Sequence, residues 1–344
     1  MQTYAMAFIP EPGKIEFRDM PLREPEPDEV LIKVRTAAIC GSDLHLFKGK
    51  HPSVSLPSAV GHELAGEVVH VGEKVTGFVA GDRVTVEPLI ACGSCYYCQR
   101  GEYHLCTNIS FQYRKGQGAF SEFFYAPENR TYKLPEGVSF EEGALIEPLS
   151  VALHAVKMSG IHIGQSSTVI GAGAIGQLAA MLLNNITGIK PIVADINEFR
   201  VQKAIELGAN GVFTNRGEDL KEKIMSCTDR LGVDCAFEAV GLETTLVQAL
   251  EVIKKGGKVM LLGIFEEPLP KIPINSFVQR EIGLVGSQGY AWDFQDSIKL
   301  VSEGRTKISE LITTRLPLDQ LQKGFELLTQ PQNDQIKVII ENIT

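Results

Sequence analysis

The chain has 344 residues, 44% of them hydrophobic and 22% charged, with a formal net charge of -9. That length suits about two domains, and the acidic balance argues against nucleic acid or an anionic membrane surface as the main partner. No apolar run approaches the roughly 20 residues that span a bilayer, and 7 cysteines are too few for a disulfide scaffold in a chain of this size.

Residues up to about 145 read as β-rich. The start, Met1-Gln-Thr-Tyr-Ala-Met-Ala-Phe8, has no basic segment leading into a long apolar stretch. No signal peptide is therefore expected, and the chain is read as cytoplasmic. An acidic, proline-rich stretch at 24–29 precedes an expected strand at 29–35. Further strands are expected at 64–71 and 83–87, rich in β-branched residues and punctuated by glycines.

The segment 40–45 packs a thiol (Cys40), a hydroxyl (Ser42), a carboxylate (Asp43) and an imidazole (His45) into six residues. His62 and Glu63 add an imidazole and a carboxylate, and Glu147 adds a second carboxylate. A catalytic zinc takes three protein ligands and keeps one position for water or substrate. Cys40, His62 and either Glu63 or Glu147 supply such a set, with Asp43 orienting His62 through its other ring nitrogen. Each of these residues, taken alone, also fits an ordinary structural role.

Cys92, Cys95, Cys98 and Cys106 form a C-x2-C-x2-C-x7-C cluster. Four thiolates in fifteen residues close a tetrahedral site with no open position, so this one reads as a structural zinc. A reducing compartment favours metal over disulfide at such spacing. Cys227 and Cys235 have no partners at metal spacing and are expected to be buried as small apolar residues.

From about 148 strands alternate with helices. Strands are expected at 167–171, 191–196, 211–214, 233–239, 258–263 and 281–285, with helices at 174–183, 200–207 and 242–254 among them. Six such strands match a doubly wound parallel sheet. The first ends in Gly171-Ala-Gly173-Ala174-Ile175-Gly176, a dinucleotide fingerprint. Its glycines allow the tight turn, the approach of a pyrophosphate and close helix packing, and the helix start offers N–H groups to the phosphates. Asp195 ends the next strand, suited to the ribose hydroxyls and repelling a 2′-phosphate, so NAD is expected over NADP. Arg200 is the counter-signal, a cation near the same ribose. A helix at 293–303 and a strand at 335–340 complete the chain. The tail is expected to fold back onto the first domain, giving domains of 1–148 with 287–344 and of 149–286, with the active site in the cleft between them.

Together these residues resemble the zinc-containing medium-chain dehydrogenases along nearly the whole chain. The shared motifs are Cys40-Gly-Ser-Asp-Leu-His45, Gly61-His-Glu-Leu-Ala-Gly66 leading to Gly72 and Val75, Gly81-Asp-Arg-Val84, the four-cysteine lobe, Glu147-Pro-Leu149 and the glycine fingerprint. The resemblance implies an α/β protein with a GroES-like β-rich catalytic domain and a Rossmann domain. It implies two Zn2+ per chain, NAD, and a homo-oligomer, dimer or tetramer. A glutamate at 147, where simple alcohol dehydrogenases carry cysteine, places the chain with sorbitol (L-iditol 2-), threonine and butanediol dehydrogenases. In that group either Glu63 or Glu147 ligates zinc, the other acting through water.

The implied reaction moves a hydride from a secondary alcohol of a polyol to NAD, giving a ketose, with the proton leaving through Ser42, the cofactor ribose and His45. Animal sorbitol dehydrogenases carry an aromatic just after the motif histidine and an Arg-Tyr pair late in the nucleotide domain. Here Leu46 and Gly289-Tyr290 stand instead, which admits 2,3-butanediol, L-threonine or a sugar-alcohol phosphate as substrate. Lys48, Lys50, Arg114 and Lys115 are the cations available to such a phosphate. A non-catalytic nucleotide-binding homologue and a zinc-free quinone reductase are the rival readings. The retained Cys40, Ser42, His45, His62 and Glu147 argue against the first, and the Cys40/His62 pair with the four-cysteine lobe against the second.

Overall fold

Short β-branched runs between glycines and prolines become strands, and longer runs with a 3.6-residue period become helices. In a computed structural model that describes residues 2–112, 116–214, 220–266, 270–330 and 333–341, the chain begins β1 (Thr3–Ile9), β2 (Glu16–Pro21), β3 (Glu29–Ala38), α1 (Gly41–Phe47), β4 (Ser58–Ala59), β5 (Glu63–Val71) and β6 (Arg83–Val86). There follow β7 (Leu89–Ile90), α2 (Tyr96–Gln99), β8 (Ser110–Phe111), β9 (Phe123–Pro127), β10 (Thr131–Lys133), α3 (Phe140–Ala144) and α4 (Ile146–Ser159). Next come β11 (Ser167–Ile170), α5 (Ala174–Thr187), β12 (Ile192–Asp195), α6 (Glu198–Glu206), β13 (Asn210–Phe213), α7 (Leu220–Ser226), β14 (Val233–Glu238), α8 (Glu243–Val252), β15 (Ile253–Leu261), α9 (Ile274–Arg280) and β16 (Gly283–Gly286). The chain ends with α10 (Asp293–Ser302), β17 (Ile312–Pro317), α11 (Leu321–Thr329) and β18 (Lys337–Glu341).

Two compact units result, Met1–Pro148 with Ala291–Thr344, and Leu149–Tyr290. The second boundary falls at 290/291, against the 286/287 expected. In the first unit the main sheet runs β10-β6-β5-β3-β18-β17, with β9 also on β3. Its core is the inward face of these strands, including Ile32, Val34, Leu64, Val68, Val84, Phe124, Val338 and Ile340. Antiparallel pairing of β3 with β5 sets Ala38 opposite Glu63, and pairing of β18 with β3 sets Ile339 opposite Ala38. The residues just past the end of β3 therefore lie beside those just before β5 and at the start of β18. Cys40, His62 and Lys337 occupy those places.

The second unit is a six-stranded sheet of order β13-β12-β11-β14-β15-β16, parallel throughout. This is the doubly wound order, with its reversal point at β11. No helix among the described residues is long and apolar enough to cross a membrane.

Two expectations shift. The helix expected over 242–254 ends at Val252, and β15 begins at Ile253, which pairs with Val233. The next pair is Cys235 with Lys258, so residues 254–257 are looped out of the ladder. Two adjacent glycines disfavour the helix, and Gly256 at φ +75° makes the turn. Cys227, expected to be buried, is exposed after α7, whereas Cys235 is buried in β14, where desolvation pushes its thiol up to about 12.

Candidate metal centres and dinucleotide site

Sulfur, nitrogen and oxygen donors from Cys40, His62 and Glu63 all lie within 4.8 Å of one another. Cys40 is the N-cap of α1, half-buried, and its backbone N–H donates to Asp43 Oδ2 at 3.1 Å. The other oxygen of Asp43 accepts from Gly61 N–H at 3.3 Å and lies 3.5 Å from His62 Nδ1. One buried carboxylate thus ties the start of α1 to the turn before β5 and orients the imidazole. Burial disfavours charge on His62, but the Asp43 carboxylate and the Cys40 thiol outweigh it and hold its pKa well above the ordinary histidine value. Such a ring becomes a metal ligand by exchanging a proton for the cation.

Glu63 is fully buried, and Lys337 Nζ donates to both its oxygens, at 2.8 and 2.6 Å, and to Ile39 C=O at 3.2 Å. Burial disfavours the ammonium, yet Glu63, Cys40 and Glu147 together raise its pKa. The structure thus sets Glu147, buried in the first turn of α4, in the same electrostatic neighbourhood, though outside the 4.8 Å donor group. Ser42 and His45 lie three positions apart on α1, on one face of the helix. Lys337 escaped the sequence reading. Its signal was a lone cation in an otherwise apolar strand that pairs against β3.

The four cysteines of the second cluster also lie with their sulfurs within 4.8 Å of one another. Cys92 and Cys98 sulfurs are 3.9 Å apart, and those of Cys95 and Cys98 3.5 Å. A tetrahedron of Zn–S bonds of about 2.3 Å has edges of about 3.8 Å, so the donor set fits zinc. Backbone N–H groups of Ser94 and Cys95 lower the Cys92 thiol, and those of Cys98 and Thr107 bring Cys95 down to about 5. Desolvation and the neighbouring sulfurs push Cys98 up to about 12. Thiols crowded this closely are metal ligands as thiolates, so binding a cation there releases protons.

In the second unit a cavity of about 660 Å³ is lined by Gly171, Gly173, Asp195, Arg200, Thr214, Val240 and neighbours. Gly171 has φ +99°, and a Cβ there would stand 2.5 Å from Val240 Cγ2. A Cβ on Gly176 would fall 1.8 Å from Gly171 O, which explains the close packing of α5 on β11. Gly173, the N-cap of α5, faces open space, so a ligand can approach its backbone. Ala174 and Ile175 form the first turn of α5, half-buried. Asp195 accepts from Ala172 N–H at 2.6 Å and Asn197 N–H at 2.8 Å, and Arg200 N–H donates to Asn197 Oδ1. Lys48 and Lys50 are exposed beyond α1, while Arg114 and Lys115 lie outside the described residues.

Residues 26–136 match the alcohol dehydrogenase GroES-like domain, and residues 174–303 the zinc-binding dehydrogenase domain. The chain is 32% identical to a sorbitol dehydrogenase of Bacillus subtilis, over 98% of this chain and 97% of that one. Among solved structures, 2R,3R-butanediol dehydrogenase from Bacillus subtilis superposes with a TM-score of 0.89 at 33% identity, covering 98% of this chain and 99% of that one. The NADP-bound zinc-binding dehydrogenase of Sinorhizobium meliloti superposes at 0.91 with 30% identity, covering 99% and 100%.

Proposed function

Because the chain belongs to the zinc-binding alcohol dehydrogenases, among the sorbitol dehydrogenase-like members of the medium-chain family, we propose that it oxidises a secondary alcohol of a polyol, of the sorbitol or L-iditol kind, to the ketose with NAD. The observation that carries this reading is the convergence of Cys40, His62 and Glu63 donors within 4.8 Å, beside a second buried carboxylate, Glu147.

Cys40 and His62 would hold the catalytic metal. Glu147 is the better third ligand, because Lys337 already engages both oxygens of Glu63. Zinc held there would supply Lewis acidity to an alcohol hydroxyl, and a bound nicotinamide would supply the hydride acceptor. Asp43 fixes the His62 ring. Ser42 and His45 take the hydroxyl proton and pass it toward solvent, a role suited to an imidazole. Gly171, Gly173 and the start of α5 receive the pyrophosphate, and Asp195 the ribose hydroxyls. The substrate carbon loses a hydride and its oxygen a proton, and the C–O bond gains its double-bond character. The four-cysteine zinc is structural.

Leu46 favours a second reading. It is 3% exposed and packed in the core of the first unit, so it offers no surface to a polyol. A smaller secondary alcohol such as 2,3-butanediol, or a sugar-alcohol phosphate, fits an incomplete polyol set. A homo-oligomer is supported by Ile274 and Val278, 63% and 79% exposed on α9, with β16 forming the edge of the sheet. A cytoplasmic location accords with the reading of Cys92, Cys95, Cys98 and Cys106 as zinc ligands, since such clusters are favoured in reducing compartments.

The test is NADH formation by zinc-loaded protein with sorbitol, xylitol, L-threonine, 2,3-butanediol and galactitol 1-phosphate, with NADP run alongside. Turnover of sorbitol or xylitol supports the polyol reading, and turnover of butanediol alone the second. Silence on every alcohol with two zincs and NAD bound removes both substrate readings. Silence with one zinc bound supports a non-catalytic nucleotide-binding protein.

A further inference from the structure

Glu238 closes β14 and is fully buried. Its Oε1 accepts from Val240 N–H at 3.0 Å, Gly241 N–H at 2.9 Å and the Thr245 hydroxyl at 2.7 Å. Its Oε2, equally buried, has no hydrogen-bond partner among the described residues. A Cβ on Gly263 would come within 2.7 Å of that oxygen and 2.2 Å of Gly241 N. The carbonyl of Glu238 meanwhile accepts from Leu262 and Gly263 N–H. One residue therefore ties together the loop after β14, the first turn of α8 and the loop after β15.

The first two of those segments wall the cavity. Ala239, Val240, Leu242, Thr244 and Thr245 line it, and Val240 presses on Gly171, the first glycine of the fingerprint. A buried carboxylate with an unsatisfied oxygen is costly, and here it stands where the loop after β14, the first turn of α8 and the loop after β15 meet.

We propose that Glu238 is a positioning residue for dinucleotide binding, one that fixes the loop 239–242 through Oε1 and locks it against Gly263. It does not line the cavity, and it acts through the shape of Val240 and Thr245. The proposal rests on the reading of this cavity as the dinucleotide site.

The test is NADH affinity of the full-length zinc-loaded protein, measured by calorimetry for wild type, Glu238→Ala, Glu238→Gln and Thr245→Val, with thermal unfolding and KM values alongside. Glu238→Ala should weaken NADH binding at least tenfold and raise the KM for NAD, with the KM for the alcohol unchanged. Thr245→Val, which loses one of three donors, should show a smaller loss, and Glu238→Gln, which keeps a carbonyl acceptor, should stay within about threefold of wild type. A lower melting temperature with unchanged NADH affinity in Glu238→Ala and Thr245→Val makes the residue merely structural and overturns the proposal. Equal losses in the Gln and Ala variants also overturn it, because acceptance at Oε1 would then not matter. Should Glu238→Ala not fold, Thr245→Val and Glu238→Gln decide. Wild-type protein that fails to bind NADH sinks the site reading itself, whereas wild-type binding with unaffected variants sinks only the role of Glu238.

Discussion

Lys337 Nζ lies 2.8 and 2.6 Å from the two carboxylate oxygens of Glu63, and both side chains are almost wholly buried. The pair forms where β18 returns to the end of β3. It joins the chain's tail to the residues that hold the candidate catalytic metal. Replacing one partner leaves a buried charge uncompensated, which costs about 3–5 kcal/mol. Lys337→Met should therefore lower stability by about that amount in urea unfolding. Combining it with Glu63→Gln should restore most of the loss, since two neutral groups need no counter-charge. A double variant no better than the single one would show that the lysine acts through its bond to Ile39 C=O instead.

The same pair predicts which carboxylate binds metal. With Glu63 committed to Lys337, Glu147→Gln should lose the catalytic zinc, leaving one zinc per chain by elemental analysis. Glu63→Gln should keep two zincs and lose stability. The reverse pattern would make Glu63 the ligand. Cys40→Ala should remove the same zinc and cut kcat by about a thousandfold or more, the equivalent of several kcal/mol of transition-state stabilisation. NADH affinity should be retained, because Gly171, Gly173 and Asp195 belong to the other compact unit.

Trp292, the one tryptophan of the chain, sits against the four-cysteine lobe. Its indole N–H donates to Gly101 C=O at 2.8 Å, its backbone N–H donates to the Tyr103 hydroxyl at 2.9 Å, and its ring meets Tyr103 edge-on with centroids 5.2 Å apart. Chelation of the structural zinc should release these contacts and shift the intrinsic fluorescence in step with zinc loss. Cys95→Ser should reproduce the shift without chelator and lower the melting temperature by about 2–4 °C for each kcal/mol of site energy lost. Unchanged emission after removal of both zincs would show the lobe to hold its shape without metal.

The nucleotide unit was legible because its signals are local. A strand, a glycine turn and a helix start follow one another, and an acidic residue ends the next strand. The four-cysteine lobe was legible for the same reason. The catalytic donor set was only half legible, since Cys40 and His62 meet through the register of β3 on β5, which spacing does not encode. Lys337 and Glu238 left only the signal of a charge in a largely apolar strand, which does not reveal a partner. One acts across the whole length of the chain, and the other is a glutamate in an apolar strand whose role depends on loops packing behind it.

Cofactor choice should turn on Asp195. Two backbone N–H groups, from Ala172 and Asn197, hold its carboxylate in the cavity wall at 2.6 and 2.8 Å. Ribose hydroxyls can donate to such a group, whereas a 2′-phosphate meets a fixed like charge. Hydrogen bonds to a charged acceptor contribute about 1.5–3 kcal/mol, so Asp195→Ser should cut kcat/KM for NAD by roughly ten- to a hundredfold. Use of NADP should rise at the same time, because Arg200 lines the same cavity and can meet the phosphate. Adding Arg200→Ala to that variant should remove the gain on NADP and leave the NAD value where Asp195→Ser put it. Steady-state rates with both cofactors check this. A wild-type enzyme that already prefers NADP would show that Arg200, and not Asp195, sets the choice.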